Sequence, residues 1–328
     1  MGRIAIFLVI GLSVIIGVFT YILNNTSSDA VRLSMKEYSF SMARNIAHSA
    51  VNIALHQIDQ GSTDSLFSGS FDDGSYSVTK TQNADTVQLA VASVFSDTTC
   101  RMRVKLVQYP KPFPKTNATI GFASDSVNFS FNGSPTVSGY DKNTDGSLGP
   151  NPPLPAVTVP TNYDSSNVAP FNSYLQGSPT IKVSDSIPQP GNYIQEYLAN
   201  ATVTFPSSVS SNATYGSATN PAIAVRDGDL SLSGSLSIYG ILVVKGSLTI
   251  TGTVTIYGIV ICYGDSVTVN INTTSGTPKI YGAFLMSGPP KSSFSMKGNG
   301  QYYYSSQALK NVQNAPSLRA YQIIDWWE

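Results

Sequence analysis

The chain has 328 residues, of which 19 are basic and 19 acidic, for a formal net charge of +0. Charged residues make up 12% of it, about half the usual share for a soluble protein, and Ser, Thr, Gly and Asn fill the polar positions instead. So sparse and balanced a charge excludes the broad phosphate-neutralising surface of a nucleic-acid-binding protein; no nucleic-acid partner is expected, and the palette is that of extracellular β structure.

Ile4 to Leu23 read IAIFLVIGLSVIIGVFTYIL, uncharged throughout and of the roughly 20 residues a helix needs to cross a bilayer. The run passes into NNTSSDAV instead of the small-residue cleavage site of a secretory signal. Arg3 and the amino terminus are the positive charges on its leading side, which places Met1 in the cytoplasm and everything after Asn24 outside. No Pro or Gly interrupts Asp29 to Gln60, and Val31, Met35, Tyr38, Met42, Ile46, Ala50 and Ile53 recur at helical spacing. The helix is therefore predicted to run on to Ile58 and to stop at Gly61, where a left-handed cap costs little. Ala43, Ala47, Ala50 and Ala54 form a second stripe, small enough to admit another backbone. That stripe serves either a neighbouring subunit or the chain's own β structure. His48 and His56 have no carboxylate or cysteine spaced to complete a metal site with them.

The apolar helix with its amphipathic continuation, and AHSAVNIAL at Ala47 to Leu55, resemble the PilX-type minor pilins of the type IV pilin family. Gly74 to Tyr109 also resembles the three-stranded meander that follows the helix in that family. The chain departs from that family in having only Met1-Gly2 before Arg3 and no acidic residue in the apolar run. The resemblance implies a structural subunit, not an enzyme, that sits in the cytoplasmic membrane before assembly and in an extracellular, surface-attached filament afterwards. Its partners would be copies of itself in a helical homopolymer, or other pilin-like subunits. Arg3, Gly11, Gly17, Ala43, Ala47, Ala50 and Ala54 are the candidate assembly interface. The alternative is a membrane-tethered monomeric adhesin or binding module.

Tyr109-Pro110-Lys111-Pro112-Phe113-Pro114 is an extended connector. Beyond it lies an internal repeat. SGSLSIYGILVVKG from Ser233, TGTVTIYGIVICYG from Thr251 and SGTPKIYGAFLMSG from Ser275 align without gaps on Ile-Tyr-Gly, and AIAVRDGDLSL from Ala222 adds a partial rung. This spacing predicts a parallel β-solenoid with Gly240, Gly258 and Gly282 stacked at equivalent corners and Tyr239, Tyr257 and Tyr281 in register; antiparallel hairpins are the alternative. A solenoid needs a covered end, and GNGQYYYSSQAL with AYQIIDWWE is the aromatic stretch expected to supply it. Cys262 aligns with apolar residues and is expected in the core. Cys100 and Cys262 are either two buried thiols or one long-range disulfide.

Asp141, Asn143 and Asp145 followed by Gly146 have the spacing of a calcium loop, but Pro152 stands where the closing glutamate belongs. The loop is thus a possible Ca2+ site or an Asx-rich turn. No Ser-His-Asp arrangement, nucleophile elbow, phosphate loop or dinucleotide fingerprint is present. The fold expected is α+β and mostly β, in four segments: residues 1–60, the helix; 61–109, the meander; 110–220, a Pro/Gly/Asn/Ser-rich β region; and 221–328, the solenoid with its cap.

Overall fold

The computed structural model describes residues 2–71, 73–184, 191–272 and 276–328. The chain is α+β and mostly β, a long N-terminal helix followed by a β-rich body. It divides into two units, Met1–Gln108 with Tyr321–Glu328, and Tyr109–Ala320.

In the first unit α1 spans Gly2–Asp59, 58 residues, or about 87 Å at 1.5 Å per residue. Gly61 ends it with φ 88°. The Gly61 N–H donates to the Ile58 carbonyl and the Ser62 N–H to the Gln57 carbonyl, both at 2.9 Å, which is the paired closure that a left-handed residue permits. Four antiparallel strands follow, β1 (Leu66–Phe71), β2 (Gly74–Asn83), β3 (Thr86–Phe95) and β4 (Thr98–Pro110). The strand Arg319–Trp327 lies on the far side of β4. The expected meander is thus present as β2 to β4, with one more strand at each edge. Period-two alternation in β3 and β4 sends Val87, Leu89, Val91, Met102, Val104 and Leu106 to the face that packs on α1. The tail AYQIIDWWE corrects an expectation. It is no solenoid cap but an edge strand of this sheet, where Tyr321 and Trp326 join the same core.

The second unit is a parallel solenoid, and the repeat register read from the sequence is the register observed. Ser235–Lys245 pairs in parallel with Thr253–Tyr263, setting Tyr239 beside Tyr257 and Gly240 beside Gly258. Lys279–Ser287 continues the ladder with Tyr281 and Gly282. The glycines have φ of 143°, 145° and 145°, a region that side-chain-bearing residues rarely enter. A Cβ on each would collide with the carbonyl oxygen stacked against it, that of Ala222, Gly240 or Gly258. Gly240 and Gly282 also mark where a strand changes partner. Residues before Gly240 pair with Ala213–Tyr215, and residues from Gly240 onward pair with Ala222–Asp227. A separate parallel sheet of six strands completes the coils.

Alternate residues such as Leu242, Val260 and Phe284 fill the interior. Their neighbours Ile241, Ile259 and Leu285 face outward and are covered by Tyr197 of the helix Gly191–Ala199 and by Leu309 and Val312 of the helix Ser306–Gln313. Burial on both sides explains why GILVV, GIVIC and GAFLM are unbroken apolar runs.

The order of coils corrects the expected split at residue 220. Lys279–Ser287 is followed in its sheet by Ile120–Phe122, then Val157–Val159 and Ile181–Val183, all parallel. Lys291–Gly298 likewise pairs with Ser126–Gly133. At the other end Val203–Thr204, Ser208–Ser210 and Ala213–Tyr215 form the outermost coil. Strands within residues 120–183 and 203–215 therefore make the two ends of one solenoid whose middle is built from the described residues of 222–304. The helix Asn162–Val168 packs against Ser126–Gly133, and Asp164 Oδ1 accepts from the Val127 N–H at 2.8 Å.

Candidate functional site

From Ile6 to Leu23 every large apolar side chain of α1 is more than half exposed, and the most apolar stretch has a mean hydropathy of 2.7. The Ser and Thr hydroxyls in and just after it need no outside partner. Ser13, Thr20 and Thr26 donate to the carbonyls of Val9, Ile16 and Ile22 at 2.7–2.8 Å, the back-bonding by which hydroxyls are satisfied in a helix. Gly11 and Gly17 have nothing within 4 Å of where a Cβ would stand. The Arg3 side chain lies outside the described residues. Exposure continues past the apolar run, with Val31, Leu33, Met35 and Tyr38 all open.

The alanine stripe is placed differently from the interface expected of it. Ala43, Ala47, Ala50 and Ala54 are each 0% exposed, in one cluster with Val51, Ile58 and the apolar face of the sheet. Small residues there let the sheet approach the helix backbone closely; the Ser93 hydroxyl, for instance, donates to the Ala43 carbonyl at 2.6 Å. Of the two readings of the stripe, it is the chain's own β structure that occupies it.

Near the end of that helix Arg44 and His48 meet Glu328, at 2.6 and 3.2 Å. The Arg44 guanidinium holds the Glu328 carboxyl below the ordinary carboxylate range. On the sheet face turned away from α1, Arg101 and Arg103 of β4 stand opposite Ala92 and Ala90 of β3, with Lys105 next along the strand. Summed charge concealed this local row, which alternation in RMRVK could have shown.

The three calcium-loop residues do not form a calcium cage. Asp141 is 3% exposed, and its carboxylate accepts from the Ser306 N–H at 2.9 Å, the Ser306 hydroxyl at 2.7 Å and the Asn151 N–H at 3.1 Å. Asn143 turns its amide nitrogen to the Ser147 hydroxyl at 3.0 Å. Asp145 Oδ1 accepts from the Ser147 N–H and hydroxyl at 2.8 and 2.6 Å, which lowers its pKa. Asp141 is engaged with Ser306 and Asn151, while Asn143, through its amide nitrogen, and Asp145 are both engaged with Ser147; a hard cation needs carboxylate and amide oxygens freed and convergent, and the residues so engaged do not fit the ion. Among the described residues no three His, Cys, Asp or Glu side chains are grouped as metal ligands. Cys100 and Cys262 are both free and buried, and burial pushes both thiols up.

The Asp141–Ser306 bonds also shape a groove that sequence reasoning missed. Its walls are the connector at Phe113–Thr116, the turn at Pro150–Asn151 and the helix Ser306–Gln313, with Tyr304 among its lining residues, and its volume is about 830 Å³. Past Phe113, Lys115 and Gln313 a second hollow of about 580 Å³ continues along Pro110–Pro112 to Tyr193.

No protein-family model and no curated protein sequence matches the chain. Among solved structures it is similar to the competence-associated pilin ComZ from Thermus thermophilus, at 10% sequence identity and a TM-score of 0.24, over 88% of this chain and 96% of that one. A likeness that distant carries no argument about this chain.

Proposed function

We propose that the chain is a structural subunit of an extracellular pilus-like filament, not an enzyme, anchored in the membrane by α1 before assembly and packed helix against helix afterwards. One observation carries the reading: the exposed apolar surface of α1 runs unbroken from Ile6 to Leu23 and, beyond the polar NNTSSD, resumes at Val31, Met35 and Tyr38. That is longer than one bilayer crossing requires. Lipid covers the first part, and helices of neighbouring subunits, keeping every side chain dry, cover both. Gly11 and Gly17 are the notches where a second helix comes closest, and Arg3 meets an acidic side chain of a neighbour. This orientation sets the amino terminus inside and both β-rich units outside.

Sheared surface material, imaged by electron microscopy and identified by mass spectrometry, tests this. Filaments containing the chain are the expected result. If the chain stays in the membrane as single molecules, the second reading takes over, a tethered cell-surface binding module; the groove beside the helix Ser306–Gln313 is the observation that favours it.

A further inference from the structure

We propose that this groove is a binding site for an acidic oligosaccharide. At about 830 Å³ it lies within the usual size of small-ligand sites, roughly 300–1,000 Å³, and the adjoining hollow of about 580 Å³ gives it the length for a chain of several sugar rings. Its charge is one-sided. Lys115 and Lys310 line it, and their ammonium groups make no ion pair or hydrogen bond among the described residues. Among the described residues no carboxylate lines it; Asp141, which bonds Ser306 of its wall, is turned into Ser306 and Asn151. Two unopposed ammonium groups favour an anionic ligand.

The uncharged groups define the rest of that ligand. The side-chain amides of Asn151 and Gln313 are exposed and have no hydrogen-bond partner among the described residues, and each offers both donor and acceptor, as vicinal sugar hydroxyls require. Phe113, common to both hollows, and Tyr304 give apolar ring surface against which the C–H face of a sugar packs. An acidic peptide fits less well. Pro110, Pro112 and Pro114 remove alternate N–H donors from the connector wall, so it offers no ladder for an added strand. A phosphate polymer would favour the planar fork of arginine, and no arginine lines the groove.

The inference stands apart from the filament reading, since it is tested on single full-length chains held in detergent. Titration calorimetry with a trimer of galacturonic acid is expected to show binding, with maltotriose, a neutral 1,4-linked trimer of the same length, weaker by about tenfold or more, the scale of a lost charge-assisted contact. Lys115→Ala with Lys310→Ala should weaken the acidic trimer by a similar factor and leave maltotriose unchanged. Phe113→Ala should weaken both sugars. The two lysines are exposed, so their replacement keeps the test valid even if Phe113→Ala disturbs folding, which circular dichroism reports. Hexaglutamate binding as tightly as the acidic trimer, the lysine pair proving indifferent, or no acidic-sugar binding at millimolar concentration each overturns the proposal.

Discussion

Trp326 lies flat on His48, the ring centroids 5.1 Å apart and the planes within 16° of parallel. Two residues on, Glu328 reaches Arg44, one helical turn before that histidine. The end of the edge strand is thereby pinned to α1 by one stacked ring pair and one exposed carboxylate.

The pin should loosen in acid. Glu328 has its carboxyl lowered by Arg44 first and His48 second. A depressed acid contributes stability that is present above its unfolded pKa and lost as pH falls through its folded one. The chain has 2 tryptophans, Trp326 and Trp327, so their fluorescence reports on this strand. Emission should shift to the red below the ordinary carboxylate range, and Glu328→Gln should be shifted already at neutral pH. Identical titrations for parent and variant would rule out the pin.

Gly258 and Gly264 separate backbone strain from collision. Their φ values are nearly equal, 145° and 142°. A Cβ at Gly258 would strike the Gly240 carbonyl and come within 2.7 Å of a Val312 methyl, whereas at Gly264 the nearest atom is 3.6 Å away. Gly264→Ala should cost about 1–3 kcal/mol, the range for a strained backbone conformation. Gly258→Ala should cost more and broaden the denaturant transition of the solenoid. Equal midpoints for the two variants would mean that the coils are not held at the glycine corner.

Ala47 and Gly11 distinguish folding from assembly. Ala47 is wholly buried in its own unit, so Ala47→Leu should overpack that core and lower monomer stability by about 1–3 kcal/mol. Gly11 is open. Gly11→Leu should leave the melting temperature of the detergent-held monomer unchanged and reduce the filaments. Normal filaments from Gly11→Leu would remove that glycine from the interface.

Asp141→Ala leaves three donors without their acceptor, and should cost on the order of 2–3 kcal/mol from the loss of charged hydrogen bonds at a buried site. Because those donors already satisfy the carboxylate, EDTA should not move the melting temperature of the parent. A melting temperature that rises with added calcium would contradict the geometry described for this loop.

Where the sequence repeats itself, structure was legible in it. Ile-Tyr-Gly recurs because each coil needs the same ring in the ladder and the same residue without a Cβ at the bend, so register could be read to the residue. Tyr303 joins that ladder beside Tyr281 yet escaped notice, since QYYY keeps the tyrosine and loses the glycine. Strands such as Ile120–Phe122 and Val157–Val159 have three residues each, too few to show a period, and their partners are far away in the chain. The alanine stripe was visible, but small residues suit any close backbone, and only the sheet's position shows which one came. The groove was hidden because its residues come from three separate segments.

The coil order has a consequence for how the protein is made. Residues 120–138 are synthesised first, yet their stacking partners at 284–303 are the last part of the solenoid's middle to arrive. In an ordinary repeat array each new coil docks on the one before it, and a truncated chain merely loses an end. Here early termination leaves the first-made strands paired on one side only, Ile120–Phe122 with Val157–Val159 and Thr136–Ser138 with Leu175–Gln176, and open along the other edge, the condition that favours aggregation. The last segment to emerge therefore acts as a keystone, and until it is in place this unit should be at its most vulnerable to proteases and to misassociation.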